Sequence, residues 1–137
     1  MVLQEISQAL QSGDVNGVKQ GVQQALNSNI EPRVVLYQGL LSAMETVGVK
    51  FKNNEVFVPE VLIAARAMNA GMELLKPKLA ETGVEPIGSV VLGTVRGDLH
   101  DIGKNLVRMM LEGAGLSVFD LGVDVSAQQF VAAIQKH

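Results

Sequence analysis

The sequence predicts a helical bundle followed by the opening of a doubly wound α/β domain. Two observations predict it. Apolar residues recur at helical spacing through roughly the first 80 positions. From residue 87 the pattern changes to a continuous aliphatic, β-branched run, "IGSVVLGTV", followed by a helix, a short strand and a helix. That run suits a strand buried on both faces, as in a parallel sheet.

Each element has its own signal. Leu3, Ile6 and Leu10 share one face of a short first helix over residues 2 to 11. "SGD" breaks it, and Asp14 is a good cap for a second helix carrying Val15, Val18, Val22, Ala25 and Leu26. After the loop "NSNIEP", Pro32 fits the first turn of a third helix with the stripe Leu36, Leu40, Ala43, Met44, Val47 and Phe51. "KNNE" is a turn, and Pro59 opens a fourth helix bearing Val61, Leu62, Ala65, Met68, Met72 and Leu75. Pro77 is expected to end or kink it. "ETGVEPIG" marks the boundary, which gives a helical cap over 1–83 and an α/β part over 84–137. In the second part a helix covers 102 to 112, with Ile102, Leu106, Met109 and Met110 at helical spacing. Glycine in "EGAGL" ends it, "LSVFDLG" is a second strand, and Ser126 caps a last helix. Two parallel strands do not complete a doubly wound sheet, so the chain reads as the N-terminal portion of a longer protein.

Composition narrows the function. With 137 residues, 47% hydrophobic and 4% aromatic, the chain has a globular, aliphatic composition. A net charge of −3 gives no basic face for nucleic acid. No apolar run approaches the roughly 20 residues that cross a bilayer. Absence of cysteine removes disulfides and thiolate metal sites. A cytoplasmic location is expected, with neither nucleic acid nor membrane as partner.

The stretch "GTVRGDLHDIGKNLV", residues 93 to 107, carries the chemistry. It follows a strand's carboxyl end, where open α/β sheets bind ligands. Gly97 lets the backbone turn tightly, and Gly103 leaves space at the start of the next helix. His100 offers one imidazole. Asp98, two residues earlier, reaches the other ring nitrogen, fixing the tautomer as carboxylates behind metal-bound histidines do. One histidine is too few for a bare zinc or iron ion with these neighbours. It suffices for a metal that arrives with its other ligands in a macrocycle.

Asp98-Leu99-His100-Asp101-Ile102-Gly103 matches the DxHxxG motif of cobalamin-binding domains. The longer "GTVRGDLHDIGKN" resembles the form found in corrinoid proteins of methyltransferase systems and in the cobalamin module of cobalamin-dependent methionine synthase. "VGVKFKNNEVFVPEVLIAARAM", residues 47 to 68, is similar to the helical cap preceding that domain. The resemblance implies a helical bundle cap and the start of a Rossmann-like (flavodoxin-like) cobalamin-binding domain, truncated after two strands. It implies a cobalt corrinoid, cobalamin, as cofactor. His100 would be the lower axial cobalt ligand, replacing the cofactor's own base ("base-off, His-on"). Asp98 would tune it. Gly97, Leu99, Asp101, Ile102 and Gly103 would line the loop around the displaced tail and lower corrin face. Phe51, Val58 and Val61 would cover the upper face. The family's downstream Ser-x-Leu and Gly-Gly segments do not occur in these residues.

Two roles stay open for several residues. Asp101 serves as a helix cap or a cofactor contact. Phe51, Val58 and Val61 serve as bundle core or as the upper-face cover. The implied function is a corrinoid carrier, a non-catalytic subunit with no catalytic residue of its own. It would shuttle a methyl group between a substrate-specific methyltransferase and an acceptor methyltransferase acting on a pterin or thiol. A reductive activase is a further expected partner. A cobalamin-binding sensor of the regulatory class is the alternative; no Trp and no basic helix support it. A hydrolase-like divalent-metal site at Asp98, His100 and Asp101 ranks last, for want of further histidines.

Overall fold

The structure, a computed structural model, describes residues 1–137. The chain forms two compact units, Met1–Glu85 and Pro86–His137.

The first unit is all helical: α1 (Val2–Gln11), α2 (Val15–Asn27), α3 (Pro32–Val34), α4 (Ser42–Lys52) and α5 (Val58–Glu81). Asp14 caps α2 as its spacing predicts, accepting the Gly17 N–H at 2.9 Å. At α5 the Glu60 carboxylate reaches back to the Phe57 N–H at 2.6 Å, and Pro59 sits in the first turn, where no N–H is needed. The core takes Ile6 and Leu10 from α1, Val18 and Val22 from α2, and Met68 and Leu75 from α5, all fully buried. Helices α1 and α2 pack tightly: a Cβ placed on Gly21 would lie 2.5 Å from Ile6 Cγ1.

Two expectations change here. The third helix is not one regular element: a π-helical segment, Val35–Leu41, joins α3 to α4. Val35, Leu36, Gly39 and Leu40 of this segment are buried. Met44 and Phe51 are left half-buried. And α5 runs on through Pro77 to Glu81. Pro77 lies on the exposed face, so the Glu73 carbonyl it frees is open to water. Leu75 and Leu79, on the buried face, hold both sides of it.

The second unit runs β1 (Ser89–Leu92), α6 (Ile102–Gly113), β2 (Ser117–Asp120) and α7 (Ala127–Lys136). The strands pair in parallel, Ser89 opposite Ser117 through Leu92 opposite Asp120. Ser126 and Gln129 form a reciprocal capping box at α7. The first strand is shorter than the 87-to-95 run and is half-buried, not enclosed on both faces. Gly93 ends it; a Cβ there would lie 3.1 Å from the Phe130 ring and 3.2 Å from Val125 Cγ2. Ile102 is 79% exposed and does not belong to the inner face of α6. No helix is long and apolar enough to cross a membrane.

The close approach at Gly21 is open to test. Replacing Gly21 with Ala forces Ile6 aside, and urea unfolding should show a loss of about 1 to 3 kcal/mol. An unchanged midpoint would mean that the contact is slack.

Candidate functional site

The site is built where the parallel ladder continues beyond its strands. The Thr94 N–H donates to the Gly122 carbonyl at 2.9 Å, and the Val125 N–H donates to the Thr94 carbonyl at 2.8 Å. Val95 then bridges Val125 in parallel. These bonds zip the loop after β1 to the loop after β2, at the strands' carboxyl ends.

From Val95 the chain reverses. The Asp98 N–H donates to the Val95 carbonyl at 3.1 Å, and Gly97 occupies the third position of this turn with φ of 85°. Only glycine adopts that region without strain. The turn delivers the Asp98 carboxylate beneath His100. Asp98 Oδ1 accepts the His100 backbone N–H at 2.9 Å and is also bonded to the imidazole Nδ1. One oxygen thus fixes both the backbone and the ring of His100. Those two bonds, the backbone one first, hold the Asp98 carboxyl below its ordinary value. Thr94 Oγ1 donates to the His100 carbonyl at 2.6 Å.

The His100 side chain is 95% exposed. With Nδ1–H committed to Asp98, a neutral ring offers its lone pair at Nε2. Leu99 and Ile102 project their apolar side chains into solvent beside it. Asp101 stands at the start of α6, but its carboxylate makes no capping bond. Only its backbone carbonyl takes part, accepting the Asn105 N–H at 2.8 Å. A Cβ on Gly103 would meet nothing within 4 Å, so no packing within the chain requires glycine there.

The cap positions separate. Val61 is in the bundle core at 3% exposure, Phe51 is half-buried, and Val58 is exposed at the start of α5. Phe57, which the sequence reading passed over, is an exposed aromatic one residue before it.

The sequence reading also missed the groups that brace this loop. Lys104 Nζ lies 2.7 Å from each oxygen of Asp120, and Arg108 Nη1 lies 3.2 Å from one of them. Asp120 Oδ1 accepts the Gly122 N–H at 2.8 Å. The Lys104 and Asp120 side chains are only 9% and 19% exposed, unlike a solvated surface pair. This ties the first turn of α6 to the end of β2. The "GKN" and "FDLG" strings held the signal, in a lysine and an aspartate whose contact depends on the fold.

The fold and the site define a class: a helical unit followed by a parallel α/β unit that presents one carboxylate-backed imidazole on the loop after its first strand. No group of three or more His, Cys, Asp or Glu side chains is placed to hold a metal ion. One exposed imidazole with a carboxylate behind it is a donor set that fits a metal bringing most of its own ligands, as a corrin cobalt does. The open space at Gly103 and the free Nε2 fit the same group.

Comparison with known proteins agrees. Two distinct family models, each described as a B12 binding domain, match the chain, one over residues 2–76 and the other over 88–137, and the chain belongs to the B12-binding proteins. Its cofactor is a corrinoid, cobalamin. A corrinoid protein of Desulfitobacterium hafniense (strain Y51) is 40% identical, over 98% of this chain and 64% of its own length. Dimethylamine corrinoid protein 1 of Methanosarcina mazei is 41% identical, over 95% and 60%. The chain thus spans about three-fifths of the curated relatives it matches. Among solved structures, a chain of the methanol:cobalamin methyltransferase complex from Methanosarcina barkeri superposes with a TM-score of 0.85 at 34% identity, covering 98% of this chain and 52% of that one. A cobalamin-binding protein from Desulfitobacterium hafniense DCB-2 gives 0.73 at 32% identity, over 98% and 63%. These matches bear out the helical cap and Rossmann-like fold expected from the sequence.

The Lys104–Asp120 pair sets a pH dependence. The Lys104 ammonium first, then the Gly122 N–H, hold the Asp120 carboxyl below its ordinary value. Its contribution to stability is complete above the unfolded value of about 3.9 and is lost as pH falls through the lower folded value. Asp120→Asn should cost about 1 to 3 kcal/mol at neutral pH and flatten the acid limb of a urea-stability profile. A variant with the wild-type profile would show the pair to be inert.

Proposed function

We propose that the chain is the corrinoid-carrying part of a methyl carrier, holding cobalamin base-off with His100 as lower axial ligand. The observation that carries this reading is the shared oxygen of Asp98. It takes both the backbone and ring N–H of His100 and leaves Nε2 on an almost fully exposed ring. When bound, the corrin would supply the chemistry, a cobalt able to carry a methyl group from a methylated substrate to an acceptor, each presented by its own methyltransferase.

The residues of this chain do the rest. His100 would hold the cobalt through Nε2. Asp98 holds the ring tautomer, as carboxylates behind metal-bound histidines do. Gly97 gives the turn its shape. Gly103 leaves room beside the ligand, and Leu99, Asp101 and Ile102 stand free of the chain's own packing, available to the cofactor. In the helical unit, Val58 with its neighbour Phe57 offers apolar surface to an apolar ligand face, with Phe51 partly available. Val61 acts through the core on which they stand. The substrate-specific and acceptor methyltransferases are the proposed partners, with a reductive activase to restore the carrier. The likeness to corrinoid proteins named for methylamines, and to a chain of a methanol:cobalamin methyltransferase complex, supports a carrier over a regulatory sensor.

Titration with hydroxocobalamin followed by visible spectroscopy tests the reading. The wild type should bind with a spectral change that His100→Ala abolishes. Gly103→Ala should raise helix stability by up to about 1 kcal/mol while weakening cobalamin binding, a pair of opposite signs that general damage does not produce. A His100→Ala protein that binds with the wild-type spectrum would overturn the assignment.

A further inference from the structure

Asp124 lies 26 residues after Asp98, in the other loop, and makes a two-sided contact with the ligand loop. Its Oδ1 accepts the Gly97 N–H at 2.7 Å. Its own backbone N–H donates to the Asp98 carbonyl at 3.0 Å. The pair of bonds brackets residues 97 and 98. Between them lie the torsions of the turn that aim the Asp98 carboxylate. Thr94 holds the other end of the segment through the His100 carbonyl.

Asp124 is itself held in an uncommon conformation. Its φ is 53°, a region that Asp and Asn tolerate better than other residues with a side chain. It sits between Gly122, whose φ is 88°, and Val125, which is buried and bridged to Val95. The left-handed residue points the following N–H into the ladder and keeps the carboxylate beside Gly97. The side chain is exposed, so burial does not explain its placement; the acceptor contact does.

We infer that Asp124 is a positioning residue for the axial histidine, fixing Asp98 so that His100 keeps its Nδ1–H toward Asp98 and its Nε2 toward the cobalt. It touches neither His100 nor the corrin site directly and acts through Gly97 and Asp98. The inference rests on the proposed role of His100, and its test is separable from that role.

Two substitutions isolate the acceptor. Asp124→Asn keeps an oxygen for Gly97 and tolerates the backbone conformation. Asp124→Gly keeps the backbone without strain and removes the oxygen. In the corrin-free protein, hydrogen exchange at the Gly97 amide reads the clamp, and the ring 15N shifts of His100 at fixed pH read the tautomer. Asp124→Gly should speed Gly97 exchange about tenfold and move His100 toward a mixture of tautomers. It should weaken hydroxocobalamin binding about tenfold as well, with little change in thermal midpoint. Asp124→Asn should restore all of these. Wild-type ring shifts in Asp124→Gly, or an unprotected Gly97 amide in the wild type, would overturn the inference. If the wild type showed no His100-dependent spectrum with hydroxocobalamin, the carrier reading would fail instead. The two corrin-free measurements would still decide what Asp124 does.

Discussion

An imidazole has two nitrogens, and a metal site needs to know which one it will get. Here a single carboxylate oxygen settles the matter. Asp98 Oδ1 binds the backbone N–H and the ring Nδ1 of the same histidine, so the side chain has little freedom left to turn. Further bonds brace the loops around it. The parallel ladder carries past Leu92 and Asp120 to join the two loops, Gly97 supplies the sharp turn, and the Lys104–Asp120 pair pins the first turn of α6.

The helical unit is organised by close packing. Its core is aliphatic, with helices brought together at glycines: Gly21 against Ile6, and Gly71 against Val18 and Leu40. The π-helical segment adds Val35, Leu36, Gly39 and Leu40 to the buried residues. Such packing leaves Phe57 and Val58 outside at the start of α5, on a helix whose next turn is anchored by Val61.

Much of this was legible in the sequence for identifiable reasons. Helix starts were marked by Asp14, Pro32, Pro59 and Ser126, each with a local role that does not depend on the fold. The Asp98–His100 pair was legible because its spacing of two suits a local bond. The family resemblance then carried the cofactor, which chemistry alone had narrowed only to a macrocycle-bound metal. What escaped was non-local or depended on exposure. Pro77 was expected to end or kink the fourth helix, yet α5 runs on through it on an exposed face, where water can replace the lost bond. The β-branched run was read as an enclosed strand, although only Ser89–Leu92 form it and they are not buried. Lys104, Asp120 and Asp124 had no spacing to announce them, because their partners lie on other elements.

The central claim is that His100 Nε2 ligates the cobalt. Electron paramagnetic resonance of the cobalt(II) form, compared between protein grown with natural-abundance and with 15N-labelled histidine, tests it most directly. The account predicts a superhyperfine splitting that changes with the label and disappears in His100→Ala. A splitting that ignores the label, arising from the cofactor's own base, would contradict it.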